Sequence, residues 1–517
     1  MLFPCRAPAL IFTAKFFNFR QISAADKREF FRETENMIPE MKKQALIIVL
    51  LGGWMAGRVW AAPPSTHRPR AQQAALWITD IHLNPYTVPG LVTRLQHAPL
   101  RRWRALWLAA LRHSPRPAGA KNSYGAYGMD SNALLLDSAL AAMRKAAARQ
   151  GRPAFIVITG DLLAHGFHHH FLAATPQHTQ ADYDAFVQRM FRYVIARLRA
   201  SFPGVPLLPA LGNNDSDCGD YQPRPGAPFM SGLAAAWSGL LASRHADRQF
   251  AADGYYSVRL PLAGGAHPVR AIVLNDIDWS PHYHNGCGTP RDAQAGAEQM
   301  RWLRATLYAS ALRDERVWVM AHIPPGADVF SSLNHTGNAC ARPPVMFLAA
   351  SYNRELVTLL RQYAAIVRLG LFGHTHQDEF RLAGAVPLKI APSLSPIFGN
   401  NPSFTLLRLG GGRVKDYRVY RMNLAASHPR WRLEYDFDRS YAVNSPADLP
   451  ALAPRLAADA ALRRRFQGFY NAGSLAPNFS RLAWPDFRCG ISHLNAASFQ
   501  RCACPANAKT APAALTH

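Results

Sequence analysis

An α/β fold is predicted by three features of this chain: short, almost unbroken apolar runs, helix-like stretches between them, and a polar residue at the end of every run. The runs are Ala74 to Thr79, Phe155 to Thr159, Pro206 to Leu211, Val317 to Ala321 and Ile366 to Phe372. Continuous apolarity of that length is what strands covered on both faces look like. The chain has 517 residues, 49% apolar, 11% aromatic and 18% charged, which excludes a disordered or collagen-like polymer. Length alone fits either about three domains of roughly 150 residues or one large α/β domain with an appendage.

From the N-terminus, Met41-Lys42-Lys43 precedes an apolar run from Ala45 to Gly53 and small residues up to Ala61. That pattern predicts a secretory signal peptide over 41–61, with Met41 as initiator and 1–40 as a non-native upstream extension. No segment reaches the roughly 20 apolar residues that span a bilayer, so the mature chain is expected to be soluble and secreted, periplasmic in a Gram-negative bacterium. Lys plus Arg number 58 against 33 for Asp plus Glu, a charge of +25 that attracts phosphate-bearing partners without naming a reaction. Beyond Cys5 the cysteines are Cys218, Cys287, Cys340, Cys489, Cys502 and Cys504, an even set that in a secreted chain predicts disulfides. Cys489 with Cys502 or Cys504 forms a local staple in this reading, with a metal knuckle as the alternative.

The first run leads into Asp80-Ile81-His82 and the second into Gly160-Asp161. Between them, Ser131 is expected to cap a helix carrying Leu134 and Met143 and ending at Gly151, a crossover between two strands. The third run leads into Gly212-Asn213-Asn214-Asp215, the fourth into His322 and the fifth into Gly373-His374-Thr375-His376. In open α/β sheets the ligand crevice lies beyond the carboxyl ends of the strands, so these side chains converge. Carboxylate, imidazole and amide oxygen are the donors of a two-metal site, and the mixture suits zinc, manganese or iron. Asp161 is the candidate bridge. Glycines at 160, 212 and 373 are expected to keep side chains away from the ions.

These segments resemble the calcineurin-like metallophosphoesterases, and their surroundings narrow the likeness to the acid sphingomyelinase-like phosphodiesterases. The stretches are Trp77 to Leu83, Thr159-Gly160-Asp161-Leu162-Leu163-Ala164-His165, Ala321-His322-Ile323-Pro324-Pro325-Gly326 and Phe372-Gly373-His374-Thr375-His376-Gln377-Asp378-Glu379-Phe380, followed by Ala391 to Pro396 and Asn400 to Phe404. The resemblance spans roughly residues 74 to 505 and implies a β-sandwich flanked by helices (αββα). It implies one metal held by Asp80, His82, Asp161 and His376, the other by Asp161, Asn213, His322 and His374, and a metal-bridging hydroxide that attacks phosphorus. The family usually has His where this chain has Asn214, an amide that cannot deliver a proton. Leaving-group protonation is therefore assigned to His165, where sphingomyelinase-like members carry a second catalytic His, with Asn214 contacting the phosphate. A further departure is Asn84, where many relatives have Asp.

Between Asp80 and Asp130 there is no acidic residue, while Arg94, Arg101, Arg102, Arg104, Arg112, Arg116 and Lys121 accumulate. Leu100, Trp103, Trp107 and Ala110 recur at helical spacing among them. Such a helix either contacts an anionic membrane through 94–116, lines a phosphate-rich cleft, or packs its tryptophans on the core. His168-His169-His170 reads as a solvated or lid element, and the loop from Asp276 to Pro290, with His282 and His284, is placed near substrate. The predicted domains are 62–422, catalytic, and 423–517, a small helical C-terminal subdomain with the Cys cluster. Only Ala62 to Gln73 precede the first strand, so no saposin module is expected before it.

The function predicted is a metal-dependent phosphodiesterase acting on a phospholipid head group or nucleotide-type ester, with two divalent ions, zinc foremost. The alternatives are a phosphomonoesterase on the same scaffold and a catalytically weak protein that binds polyanions or membranes. No basic-aromatic interleaving indicates a nucleic-acid module.

Overall fold

Two six-stranded sheets carry the computed structural model. It describes residues 73–504 apart from 225, 238–242, 284–293, 335–342 and 475–483. The upstream extension 1–40, the signal segment 41–61, His284, Cys287 and Cys340 lie outside the described residues.

In the first sheet, β1 (Gln73–Ile78), β2 (Ile156–Thr159) and β3 (Leu207–Ala210) are parallel neighbours. Parallel pairing needs long crossovers, supplied here by the helices Ala133–Ala148 and Gln180–Ser201. In the second sheet, β4 (Tyr256–Arg259) pairs antiparallel with β5 (Val269–Val273). Strands β5, β6 (Arg316–Met320) and β7 (Val367–Phe372) then run parallel, linked through the helices Ala295–Leu312 and Ala350–Gln362. β8 (Glu379–Ala383) and β9 (Val386–Ile390) form a hairpin. β10 (Ser403–Gly410), β11 (Arg413–Met422) and β12 (Trp431–Asp436) fold back onto β1 as an antiparallel meander.

The strands predicted from continuous apolarity are covered on both faces: Ile156, Val157 and Ile158 on β2 and Val317, Val319 and Met320 on β6 are buried. One apolar cluster joins both sheets and the flanking helices, so the αββα sandwich is present. Phe155 meets Trp318 edge-on across it, with ring centroids 6.2 Å apart.

The basic stretch packs rather than projects. Its helix, Leu100–His113, buries Trp103 and Trp107 completely against Tyr193, and Arg104 pairs with Asp137 at 2.7 Å. The crossover helix is capped by Asn132, not Ser131: the Asn132 side chain accepts from Leu135 N at 2.9 Å, and the helix ends before Gly151. Residues after 422 are not helical throughout, because β12 comes first. The helices Leu449–Ala458 and Ala460–Tyr470 follow, separated by Asp459, which caps the second. Cys489 and Cys502 form a disulfide, which removes the metal-knuckle alternative for that pair; Cys218 takes part in a disulfide, and so, separately, does Cys504.

Candidate metal centre

The carboxyl ends of β1, β2 and β3 from one sheet meet those of β6 and β7 from the other. Leu394 N donates to Thr79 O at 3.1 Å, stitching the two sheets together beside the meeting point. All seven residues expected from the sequence as ligands come together there, in two nests of donor atoms.

In the first nest, His82 Nε2 lies 3.9 Å from Asp80 Oδ1, 3.4 Å from Asp161 Oδ2 and 3.1 Å from His376 Nε2. In the second, His322 Nε2 lies 3.3 Å from Asp161 Oδ2, 3.0 Å from Asn213 Oδ1 and 3.3 Å from His374 Nδ1. Asp161 Oδ2 therefore belongs to both. His82 Nδ1 donates to Leu163 O at 2.8 Å and His322 Nδ1 to Thr159 O at 2.6 Å. With those protons committed to carbonyls, the Nε2 lone pairs face inward, the tautomer a metal requires.

The backbone is strained to achieve this. Asp80, His82, Asp161, His374 and His376 have φ of 47°, 42°, 54°, 71° and 62°. Left-handed conformations at non-glycine residues cost roughly 1–3 kcal/mol each and persist where the fold overdetermines them. Space is equally constrained: a Cβ on Gly212 would lie 2.1 Å from Asp161 Oδ1, and one on Gly373 2.2 Å from Thr79 Oγ1. These glycines thus make room for the carboxylate ligands and their neighbours, rather than for the ions as expected.

Each ligand is held from behind. Thr79 Oγ1 donates to Asp80 Oδ2 at 2.6 Å, and His374 N donates to Asp80 Oδ1 at 3.1 Å. Asn213 Nδ2 donates to Asp220 Oδ1 at 2.7 Å, which turns its oxygen towards His322 and His374. Asp215 accepts from Leu162 N and Gly212 N at 2.7 and 3.0 Å, locking the β2 and β3 loops together. Asp276 accepts from His322 N and Ile323 N at 3.3 and 3.1 Å. Sequence reasoning assigned no role to Asp130, Asp220 or Asp276; among the supporting side chains, Thr79 and Asp215 stand in quoted motifs.

Asn214 is buried, and its Nδ2 donates to Asp161 Oδ2 at 2.9 Å while its N donates to Asp161 Oδ1 at 2.8 Å. The amide expected to touch phosphate is thus bonded to the shared carboxylate. Asn84 Oδ1 accepts from Tyr86 N at 2.8 Å, an Asx turn that Asp would make equally well. His165 stacks on His82, centroids 3.9 Å apart, and its Nδ1 donates to Asp130 Oδ1 at 3.0 Å. His168 packs on Tyr183 and lies outside the clusters, and the ring of His282 stands 5.3 Å from that of Tyr221 on the cavity wall.

The electrostatics attract positive charge. Burial opposes ionisation of Asp161, yet His322 and His82 hold its carboxyl well below the usual range. Burial also opposes the His322 cation, but Asp161 outweighs it and pushes the imidazole up to about 10. Burial holds His374 and His376 well below the ordinary histidine value, with His322 and His82 respectively adding to the effect. His376 Nδ1 is buried with no partner among the described residues. The imidazoles of His82, His374 and His376, the Asp161 carboxylate and the Asn213 amide oxygen fit divalent cations, and the proton that Asp161 holds on His322 is the one such an ion would displace.

The nests open into a cavity of about 310 Å³ lined by His165, Asn213, Tyr221, Phe347, Phe398 and Arg381 among others. The Asp220, Asp328 and Glu379 carboxyl groups also border it.

Residues 74–378 match the family model described as calcineurin-like phosphoesterase. An acid sphingomyelinase-like phosphodiesterase 3b of Mus musculus is 26% identical over 478 residues, covering 86% of this chain and 93% of its own. A sphingomyelinase phosphodiesterase D of Dictyostelium discoideum is 24% identical, covering 73% and 81%. A cyclic GMP-AMP phosphodiesterase of Bos taurus is 24% identical, covering 80% and 86%.

Proposed function

Because the chain belongs to the calcineurin-like phosphoesterases, metal-dependent hydrolases of phosphoric esters, we propose that it is a two-metal phosphodiesterase with Asp161 as the bridging ligand. The observation that carries this reading is the sharing of Asp161 Oδ2 between the two nests. Asp80, His82, Asp161 and His376 hold one ion; Asp161, Asn213, His322 and His374 hold the other. Five imidazole and amide donors beside two carboxylates favour zinc, with manganese or iron as weaker fits. Bound there, such ions neutralise phosphoryl oxygens and acidify water to near neutrality.

The chain's own residues do the rest. His165 delivers a proton to the leaving oxygen: Asp130 holds its Nδ1, which leaves the Nε2 proton to transfer. Burial disfavours the His165 cation, but the hydrogen bond and charge of Asp130 outweigh this and raise its pKa, which favours the acid form. Asn214 orients Asp161 through the hydrogen bonds from its backbone and side-chain nitrogens. Comparing mono- and diester rates separates a diesterase from a phosphomonoesterase on the same scaffold.

The relatives' names suggest sphingolipid-type and cyclic-dinucleotide diesters as the two substrate classes to compare. A secreted or periplasmic location is supported by the Cys489–Cys502 disulfide together with the leader pattern over 41–61. Contact of 94–116 with anionic membranes would act through its exposed arginines, since Trp103 and Trp107 are buried.

Bis(p-nitrophenyl) phosphate hydrolysis by the zinc-, manganese- or iron-loaded protein tests the reading, with Asp161→Asn alongside. The expected result is turnover with two bound ions, both lost in the variant. No turnover with any metal, or turnover untouched by Asp161→Asn, overturns it.

A further inference from the structure

Beside the metal nests, the same cavity carries polar groups that the chemistry above does not use. Gln377 follows His376 directly and lines the cavity, and its side chain is 2% exposed. Among the described residues neither its Nε2 nor its Oε1 has a hydrogen-bond partner. A buried carboxamide with both donor and acceptor unspent is costly, so native folds pair such groups with protein, water or ligand.

Arg381 adds a second orphan. Its Nη1 donates to Pro325 O at 2.8 Å and its guanidinium lies over Phe347 at 5.0 Å, yet its Nε is buried without a partner. Both residues are fixed in place. Gln377 precedes Asp378, whose N donates to Tyr470 O at 2.7 Å and whose Oδ2 accepts from Tyr435 Oη at 2.7 Å. Arg381 sits on β8, in register with Leu388 of β9. Rigid, desolvated and unpaired polar groups next to a reaction centre are the usual parts of a recognition site.

We infer that Gln377, backed by Arg381, is a specificity-determining residue that pairs with an amide in the organic substituent of the phosphodiester. The Gln377 carboxamide presents one N–H and one C=O side by side. Its complement is a group offering an acceptor and a donor in the same arrangement, an N–H beside a C=O. The lactam of a nucleobase supplies that edge, because its ring holds N–H and C=O on one side, whereas the trans N-acyl amide of a lipid offers its N–H or its C=O singly and makes one of the two bonds. This assignment rests on the diesterase reading, because it places the substituent in the metal-lined cavity.

Equilibrium binding to the zinc-loaded protein separates the possibilities, using matched phosphates with and without the amide. Uridine 5′-phosphate is compared with ribose 5′-phosphate, and N-acetylethanolamine phosphate with ethyl phosphate. The wild-type protein should prefer the amide-bearing member of one pair by about ten- to hundredfold, and the pair that shows the preference identifies the source. Gln377→Met, close in volume but without hydrogen-bonding groups, should bring that ratio to near one. A merely structural effect of the substitution would weaken both members equally and leave the ratio unchanged, which overturns the proposal. No preference in either pair for the wild-type protein overturns it too, and means that water satisfies Gln377. Hydrolysis of bis(p-nitrophenyl) phosphate, which carries no amide, reports separately on the diesterase reading.

Discussion

Asp130 grips His165 twice, through Oδ1 to the ring Nδ1 at 3.0 Å and through Oδ2 to the backbone N at 2.9 Å. Ser395 Oγ donates to the same Oδ1 at 3.0 Å, so the carboxylate is fixed from three directions. Burial opposes its ionisation, but its bonds to His165 lower its pKa while raising that of the imidazole. Asp130 thus orients the imidazole and favours its protonated form.

Replacing Asp130 by Asn removes the anion and keeps the shape. A proton donor with a raised pKa is active below that pKa and fails as pH rises through it. Losing the anion lowers the His165 pKa, so the alkaline limb of the pH–rate profile should move to lower pH, with kcat down about 10²-fold for a poor leaving group. His165→Ala should abolish that limb. A profile that keeps its alkaline limb in place in Asp130→Asn would falsify the assignment.

Gly212 and Gly468 make opposite predictions from the same substitution. A Cβ at 212 would press on Asp161 Oδ1 at 2.1 Å, whereas one at 468, inside the helix Ala460–Tyr470, would meet nothing within 4 Å. Gly212→Ala should therefore lose metal and turnover together. Gly468→Ala should raise stability by about 0.5–1 kcal/mol through the entropy of the unfolded chain, with metal content unaltered. Metal analysis and thermal denaturation check both, and a metal-replete Gly212→Ala would refute the crowding argument.

The ligands were legible in the sequence because each follows a strand that is apolar on both faces, so Asp80, Asp161, Asn213, His322 and His374 announce themselves by position. What supports them was not. Asp130 lies 35 residues before His165, at the end of an irregular stretch, and its role exists only once the loops close. Asp220 gains meaning only when the loop after β3 turns it back onto Asn213. The strand β12 was hidden for another reason: Trp-Arg-Leu-Glu-Tyr-Asp at the sheet edge is half exposed, and its charges resemble the helical pattern that follows. Trp103 and Trp107 were visible as a helical face, but only tertiary packing decides that the face turns inward.

Chelation should destabilise as well as inactivate. His82 Nε2 and His376 Nε2 stand 3.1 Å apart, and the strained backbone at Asp80, His82, Asp161, His374 and His376 is held by what those side chains bind. An ion that binds the folded chain and not the unfolded one stabilises by RT ln(1 + [L]/Kd), about 4 kcal/mol at a thousandfold excess over Kd. A fall of several degrees in Tm on adding a strong chelator, restored by zinc, is expected. An unchanged Tm would show that the nests hold no tight ion.

Glu315 supplies a pH dependence remote from the site. It is fully buried at the start of β6, and Arg270 donates to it from Nε at 2.6 Å and Nη2 at 3.0 Å, with Arg259 Nε at 2.9 Å. Burial alone would raise its pKa, but the hydrogen bonds from Arg270 and Arg259 overcome this and lower it. A carboxyl whose folded pKa is depressed adds stability that is present above its unfolded value of about 4.3 and disappears as pH falls through the folded value. Glu315→Gln should therefore cost about 1.5–3 kcal/mol at pH 7, the range for a hydrogen bond to a charged group. Because Arg259 is 60% exposed and can turn to water, the lower half of that range is expected. In urea titrations the deficit should shrink as pH drops below about 4.3, where the unfolded chain takes up the proton, and vanish at the lower folded value. A deficit that stays constant between pH 7 and pH 3.5 would mean that shape, and not charge, is what Glu315 contributes.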